Sequence, residues 1–164
     1  MDSTSSETSR YHELFGSLNF AIIRLGRAHR ALAAQLMREV GLRPEQGAMM
    51  MHLWSVGPVR QTSLATQFSR DSAATTRTVQ RMERAGYVRR RPDPTDRRAT
   101  LVEPTAAGNA LRPRVEALWR SLEEQAMAHL PEAERRQALE LVVSLGDALS
   151  SRLTETPHPL LAEI

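Results

Sequence analysis

Between Tyr11 and Val40 the apolar residues Leu14, Leu18, Ile22, Leu25, Leu32 and Leu36 recur at three- and four-residue steps. That spacing places them on one face of a long helix, and Gly41 is suited to end it in a left-handed turn. Pro44 fits the first position of a second helix, which runs through Ala48, Met49, Leu53 and Trp54 to the Gly57-Pro58 turn. A short third helix covers Gln61 to Phe68, with Leu64, Ala65 and Phe68 inward. Asp71 then reads as an N-cap whose carboxylate accepts from first-turn amides. The helix it opens runs to Ala85, and Gly86 stops it. Thr75, Val79 and Met82 form its buried stripe, which leaves Ala73, Thr76, Arg77, Gln80, Arg81 and Arg84 on the other side.

After Gly86 the period changes. Tyr87 to Arg91 and Ala99 to Glu103 are short runs rich in extended-chain formers, separated by Pro92-Asp93-Pro94-Thr95-Asp96. Two prolines in five residues cannot continue a helix, so the segment predicts a β-hairpin with a long tip. Thr105 caps a further helix through Leu111, Val115, Leu118, Trp119 and Leu122 to about Leu130, with a kink expected at Pro113. Pro131 opens a last helix with Leu139, Val142, Val143, Leu145 and Leu149 on its apolar side. The expected fold class is therefore mainly α with a small β-wing: a helix-turn-helix followed by a hairpin, framed by helices at both ends. The expected divisions are a disordered lead at 1–10, a first helix at 11–40, a winged helix-turn-helix at 41–104, and closing helices at 105–164.

Composition narrows the class. The 164 residues are 41% hydrophobic and 25% charged, ordinary for a soluble globular protein. Aromatics make up only 4%, so the core must rest on Leu, Val, Ala and Met. No apolar run approaches a membrane span, and the Ser/Thr-rich Met1 to Arg10 lacks the order of a secretory signal, so a cytoplasmic protein away from membranes is expected. There is no Cys, which excludes disulfides, thiolate metal sites and thiol-based switching.

Charge is more informative in its distribution than in its total. All 22 basic residues are Arg. From Arg60 to Arg98 ten of them stand against Asp71, Glu83, Asp93 and Asp96, leaving +6, while the rest of the chain carries −3. A basic middle between acidic ends is a polyanion-binding footprint. A B-form major groove admits one α-helix, and Arg, Gln and Thr on its outer face can read guanine, adenine and the thymine methyl. The helix after Asp71 offers Thr76, Arg77 and Gln80 in this way, with Arg81 and Arg84 suited to phosphates or water. Asp96-Arg97-Arg98 at the hairpin tip places guanidinium groups where a minor groove would pass, and Arg suits the negative potential of a narrow one. Asp96, two residues along on the same strand face, is suited to hold Arg98 in one rotamer and to form the turn.

These residues carry a family resemblance. Leu64-Ala65 through Phe68, Asp71, Thr76-Arg77, Arg81-Met82-Glu83, Gly86-Tyr87-Val88, Asp93-Pro94-Thr95-Asp96-Arg97-Arg98-Ala99 and Thr105-Ala106-Ala107-Gly108 resemble the multiple-antibiotic-resistance regulator (MarR) family. The similar stretch runs from about Leu42 to Gly108. The resemblance implies a homodimer whose interface is formed by the first and last two helices, a recognition helix at Ser72 to Ala85, and Arg98 in a minor groove with Asp96 orienting it. The implied DNA-facing set is Ser72, Ala74, Thr76, Arg77, Gln80, Arg81 and Arg84 from the helix, with Asp96, Arg97 and Arg98 from the wing. Arg43 and Arg60 stand where a Thr or Ser cap is usual, and Arg70 where an aliphatic residue is usual; these are expected to add phosphate contacts at the expense of capping. Pro104 replaces the usual Leu before Thr105. Ala73 and Ala74 occupy positions often held by Ser and Thr, which shifts base reading toward Thr76, Arg77 and Gln80. Members are often released from DNA by small aromatic acids bound between the dimerisation helices and the winged domain. On this chain the candidate wall for such an effector is His29, Arg30, Met49, His52 and Trp54, although Met and Trp at helical spacing are also ordinary core residues.

Two rival classes remain to be weighed. The five histidines are scattered, no His-x-x-x-His spacing or Gly-rich phosphate loop occurs, and Glu123-Glu124 diverge on a helix, so no catalytic site, metal or cofactor is expected. The alternative is a winged helix used only for protein contacts, since a fold does not prove a function. The +6 segment argues against it. The expected function is that of a repressor binding a pseudo-palindromic double-stranded DNA operator as a homodimer.

Overall fold

The computed structural model describes residues 16–68, 72–96 and 98–155, without the side chains of 153–155. The expectations that fall on 1–15, Arg70, Asp71 and Arg97 lie outside the described residues. The order of elements is α1 (Ser17–Met37) tightening into a 3₁₀ turn (Arg38–Val40), α2 (Pro44–Val56), β1 (Val59–Arg60), α3 (Gln61–Phe68), α4 (Ser72–Arg84), β2 (Val88–Pro92), β3 (Thr100–Pro104), α5 (Ala106–Met127) and α6 (Glu132–Glu155). The chain divides into two units, 1–123 and 124–164.

Helix ends follow local chemistry. Gly41 and Gly86 both adopt positive φ, 69° and 77°. At each the following amide returns to the last turn: Leu42 N–H to the Met37 carbonyl and Tyr87 N–H to that of Met82, both at 3.0 Å. A residue with a Cβ would be strained at either position. At the start of α2, Arg43 cannot accept a hydrogen bond through its side chain, and the cap is supplied from the other direction. The Gln46 carbonyl oxygen accepts from Arg43 N–H at 2.9 Å, with Pro44 at the first helical position. Helix α5 continues through Pro113 as one element from Ala106 to Met127.

The first unit has a continuous apolar interior. Met49, Met50, Leu53, Leu64, Val79, Met82, Val88 and Val102 form the core of the helix-turn-helix and wing. Met37, Val40, Leu42 and Val115 form a second cluster, and Trp54 and Tyr87 pack against both. Ala33, Leu36 and Leu122 join the end of α1 to α5. Leu, Val, Ala and Met thus supply the interior, as the composition required.

The sheet is three-stranded and antiparallel in the order β1-β3-β2. β2 and β3 pair from Val88 opposite Pro104 to Pro92 opposite Thr100, one residue later than the hairpin pattern suggested. β1, absent from the sequence reading, pairs Val59 with Val102 and Arg60 with Leu101. Two residues are too few to display alternation, so no periodicity could have announced this strand.

The base of the wing is locked to α5. The Thr105 hydroxyl donates to the Gly86 carbonyl and accepts from Gly108 N–H at 3.0 Å, while Thr105 N–H donates to the Tyr87 carbonyl at 3.0 Å. Gly108 lies so close to Tyr87 that a Cβ there would sit 2.0 Å from its carbonyl oxygen. The spacing Thr-x-x-Gly is therefore a cap joined to a close approach of two backbones.

In the second unit, α6 pairs Arg135 with Glu132 at 3.0 Å, and Arg135 also donates to the Leu130 carbonyl at 3.2 Å. Its apolar side is uncovered: Leu139, Leu141, Val142, Val143, Leu145 and Leu149 are 40–58% exposed. In the first unit, Leu18, Ile22, Ile23 and Leu25 of α1 are likewise 39–57% exposed. Both helices carry the apolar stripe read from their sequence, and the single chain buries neither stripe fully.

Candidate nucleic-acid interface

Helix α4 buries Thr75, Thr78, Val79 and Met82 against the core. This is the stripe expected from the sequence with Thr78 added. Ser72, Ala73, Arg77, Gln80 and Arg84 are exposed, and Ala74, Thr76 and Arg81 are half-buried. Arg84 donates through Nε to the Gln80 carbonyl at 3.3 Å, so its guanidinium lies back along the helix.

Ala74 and Arg81 occupy the flank of α4 rather than its outer face. They line a cleft of about 260 Å³ together with Glu45 and Met49 of α2 and Phe68 of α3. Arg81 Nη2 donates to Thr78 Oγ1 at 3.3 Å, while its Nε and Thr75 Oγ1 are buried without a hydrogen-bond partner.

Thr76 faces a different groove, of about 290 Å³, between the helix-turn-helix and the wing. Gln61, Thr62, Ser72, Arg90 and Arg98 share its lining. The Thr76 hydroxyl donates to the Ser72 carbonyl at 2.9 Å and accepts from Gln61 Nε2 at 3.1 Å. The reading helix and the wing arginine singled out in the sequence therefore open onto one surface.

The wing is held by carboxylates. Asp93, with only 7% of its side chain exposed, accepts from Thr95 N–H at 2.9 Å and from the Thr95 hydroxyl at 2.7 Å. Its other oxygen accepts from Arg60 Nε at 2.8 Å. The Thr95 hydroxyl and amide, followed by the Arg60 guanidinium, lower its pKa from 3.8 to about 2. Arg60 is thus a strap from β1 to the wing, a role added to the phosphate contact expected of it, and its side chain stays 46% exposed. Its partner was not legible because Asp93 lies 33 residues away.

Asp96 takes the turn-forming one of its two expected roles. Its Oδ1 accepts from the main-chain N–H of Arg98 at 3.0 Å, so the contact shapes the turn and leaves the guanidinium to other partners. An Asp side chain readily bonds its own backbone two residues on. Arg98 itself is exposed.

The three arginines of β2 alternate in direction, as strand geometry requires. Arg89 and Arg91 bracket the buried Glu103 at 2.6 and 2.8 Å, and Arg90 reaches back to Glu83 of α4 at 2.7 Å. Hydrogen bonds from Arg91, then Arg89, hold the Glu103 carboxyl below its usual pKa, and Arg90 does the same for Glu83. Part of the positive charge counted along the sequence is therefore spent inside the wing.

The five residues expected to wall an effector site fall in several settings. Met49 is buried in the helix-turn-helix core, and His52 meets Phe68 edge-on at 5.5 Å. His29 stacks on Trp119 at 6.4 Å, and Trp54 packs between the first two clusters with its indole N–H unpaired. Arg30 is exposed and lies along α1 over Gly26. Met49 and His52, three residues apart, share one side of α2 near Phe68, and Trp54 leaves from another. The residues the sequence reading missed are Gln61, Asp93 and Arg90, whose partners Thr76, Arg60 and Glu83 stand on other elements.

Residues 42–100 match the model of the MarR family. Over 116 residues the chain is 32% identical to an HTH-type transcriptional regulator of Bacillus subtilis (strain 168), YcgE, covering 71% of this chain and 70% of that protein. The chain belongs to the MarR family. It is a MarR-family transcriptional regulator with a winged-helix fold. The crystal structure of a probable transcriptional regulator from Pseudomonas aeruginosa is similar at 30% identity and a TM-score of 0.72, covering 80% of this chain and 98% of that one. Escherichia coli MarR complexed with operator DNA shares the fold at 21% identity and a TM-score of 0.74, covering 82% and 96%. Among the described residues no helix is long and apolar enough to cross a membrane.

Proposed function

We propose that this MarR-family regulator is a homodimeric, cytoplasmic repressor that binds a pseudo-palindromic double-stranded DNA operator and has no catalytic role. The observation that carries the reading is the shared groove: Thr76 of α4 and Arg98 of the wing line one surface, with Arg77 and Gln80 exposed on the same helix. A helix in a major groove flanked by an arginine in the adjoining minor groove uses such a surface fully.

Dimerisation is supported by the uncovered apolar sides of α1 and α6, each of which a second copy of the chain would bury. Two-fold symmetry then sets two recognition helices about one helical turn apart on the duplex. Repression follows the family resemblance. The operator-bound fold of Escherichia coli MarR supports the docking mode.

Selection of duplexes from a random pool by the purified protein tests this reading. Enrichment of a two-fold-related sequence is expected. Recovery of unrelated sequences that compete equally with the starting pool would overturn it and favour a winged helix devoted to protein contacts.

A further inference from the structure

We infer that Gln61 is a positioning residue that fixes Thr76 as a reader of thymine methyl groups. This rests on the DNA-binding reading above and deepens it.

A helical threonine divides between two χ1 rotamers because its hydroxyl can return to a carbonyl of the preceding turn. Thr76 takes this route, donating to the Ser72 carbonyl at 2.9 Å. That bond alone is weak restraint at a surface rich in competing polar groups, since Thr62, Ser72 and Arg98 line the same groove. Gln61 adds a second. Its Nε2 donates to the same hydroxyl oxygen at 3.1 Å from the first position of α3. Turning the side chain would now break two hydrogen bonds. With its proton and one of its lone pairs committed to the protein, the hydroxyl is largely occupied, and the methyl group is the part of Thr76 best left for a base edge. In the major groove its counterpart is the thymine C5-methyl, which separates thymine from every other base. Gln61 thereby biases a side chain able to read either polar or apolar edges toward the apolar one.

The test uses the full chain and a duplex enriched by selection, with one symmetry-related pair of thymines at a time replaced by uracil. Uracil lacks only the methyl. For the wild type, one position is expected to lose about fourfold in affinity per contacted methyl, the loss that burial of one such group corresponds to. In Gln61→Met, which keeps the length and removes the amide, the thymine-to-uracil ratio at that position should fall toward one. Thr76→Val carries a methyl whatever Gln61 does, so adding Gln61→Met to it should leave the ratio at the wild-type level. Thr76→Ser keeps both hydrogen bonds and lacks the methyl, and should lose the ratio even if Gln61→Met does not fold. The proposal is overturned if no thymine responds to uracil, if Thr76→Ser keeps the ratio, or if Gln61→Met keeps it in the Thr76 background. Failure to enrich or bind any duplex overturns the DNA-binding reading itself, and this inference with it.

Discussion

Replacing Gly108 by Ala tests how the wing is attached to the scaffold, because helix propensity and packing predict opposite signs. Gly108 lies inside α5, where Ala is intrinsically favoured by about 1 kcal/mol. The added Cβ, however, would stand 2.0 Å from the Tyr87 carbonyl oxygen, against 3.4 Å for ordinary contact. The two backbones must separate by 1.4 Å, the difference between those distances. That shift is enough to break the hydrogen bonds from Thr105 to the Gly86 and Tyr87 carbonyls. Overpacking of about 1–3 kcal/mol and two lost bonds of about 1 kcal/mol each outweigh the propensity gain, leaving a net loss of about 2–4 kcal/mol. Urea unfolding followed by circular dichroism at one protein concentration measures it as a lower midpoint at unchanged slope. The exposed neighbour serves as control, since Ala107→Gly should lose only about 1 kcal/mol. A Gly108→Ala protein as stable as the wild type, or more so, would refute the close-approach argument.

Other expectations follow from the same geometry. Arg98→Ala should weaken duplex binding while melting and dimerisation stay unchanged; equal affinity in an anisotropy titration would remove the wing from the interface. Arg77→Ala should lose discrimination between selected and scrambled duplexes as well as affinity, about 1–3 kcal/mol if it makes a bidentate base contact, whereas uniform loss across sequences would recast it as a phosphate contact. Asp93 has a folded pKa of about 2, below its usual 3.8, so it contributes stability that is complete above pH 4 and is lost as the pH falls toward 2. Asp93→Asn should flatten that part of the pH–stability curve, and an unchanged curve would show that the carboxylate does not hold the wing. Val142→Glu on the exposed side of α6 should shift sedimentation toward monomer, and a dimer of unchanged strength would place the interface elsewhere.

Much of the fold was legible because each element announces itself locally. Period 3.6 gave α1 through α6, Gly41 and Gly86 gave their left-handed stops, and two prolines in five residues gave the wing. Thr105 was legible as a cap, although its second bond to Gly86 was not, because that partner lies 19 residues back. The same limit hid Gln61, whose importance depends on Thr76 fifteen residues on, and Asp93, whose partner stands on a strand too short to show a pattern. Charge counting overstated the free basic surface for this reason: Glu103 lies just beyond the basic segment and takes up two of its arginines. The sites divide in the same way. Exposed side chains such as Arg77 and Gln80 could be placed from helical phase alone, whereas the Arg60–Asp93 strap needed both partners in view.

The central claim is that the surface shared by α4 and the wing binds DNA largely through its arginines. It is tested most directly by titrating the protein against a selected duplex by fluorescence anisotropy over a series of salt concentrations. Neutralising several phosphates should release their counterions, so log affinity should fall linearly with log salt, with a slope near −0.9 per phosphate contacted, and the slope should become shallower in Arg98→Ala. Affinity that is independent of salt, or a slope that Arg98→Ala leaves untouched, would contradict the account.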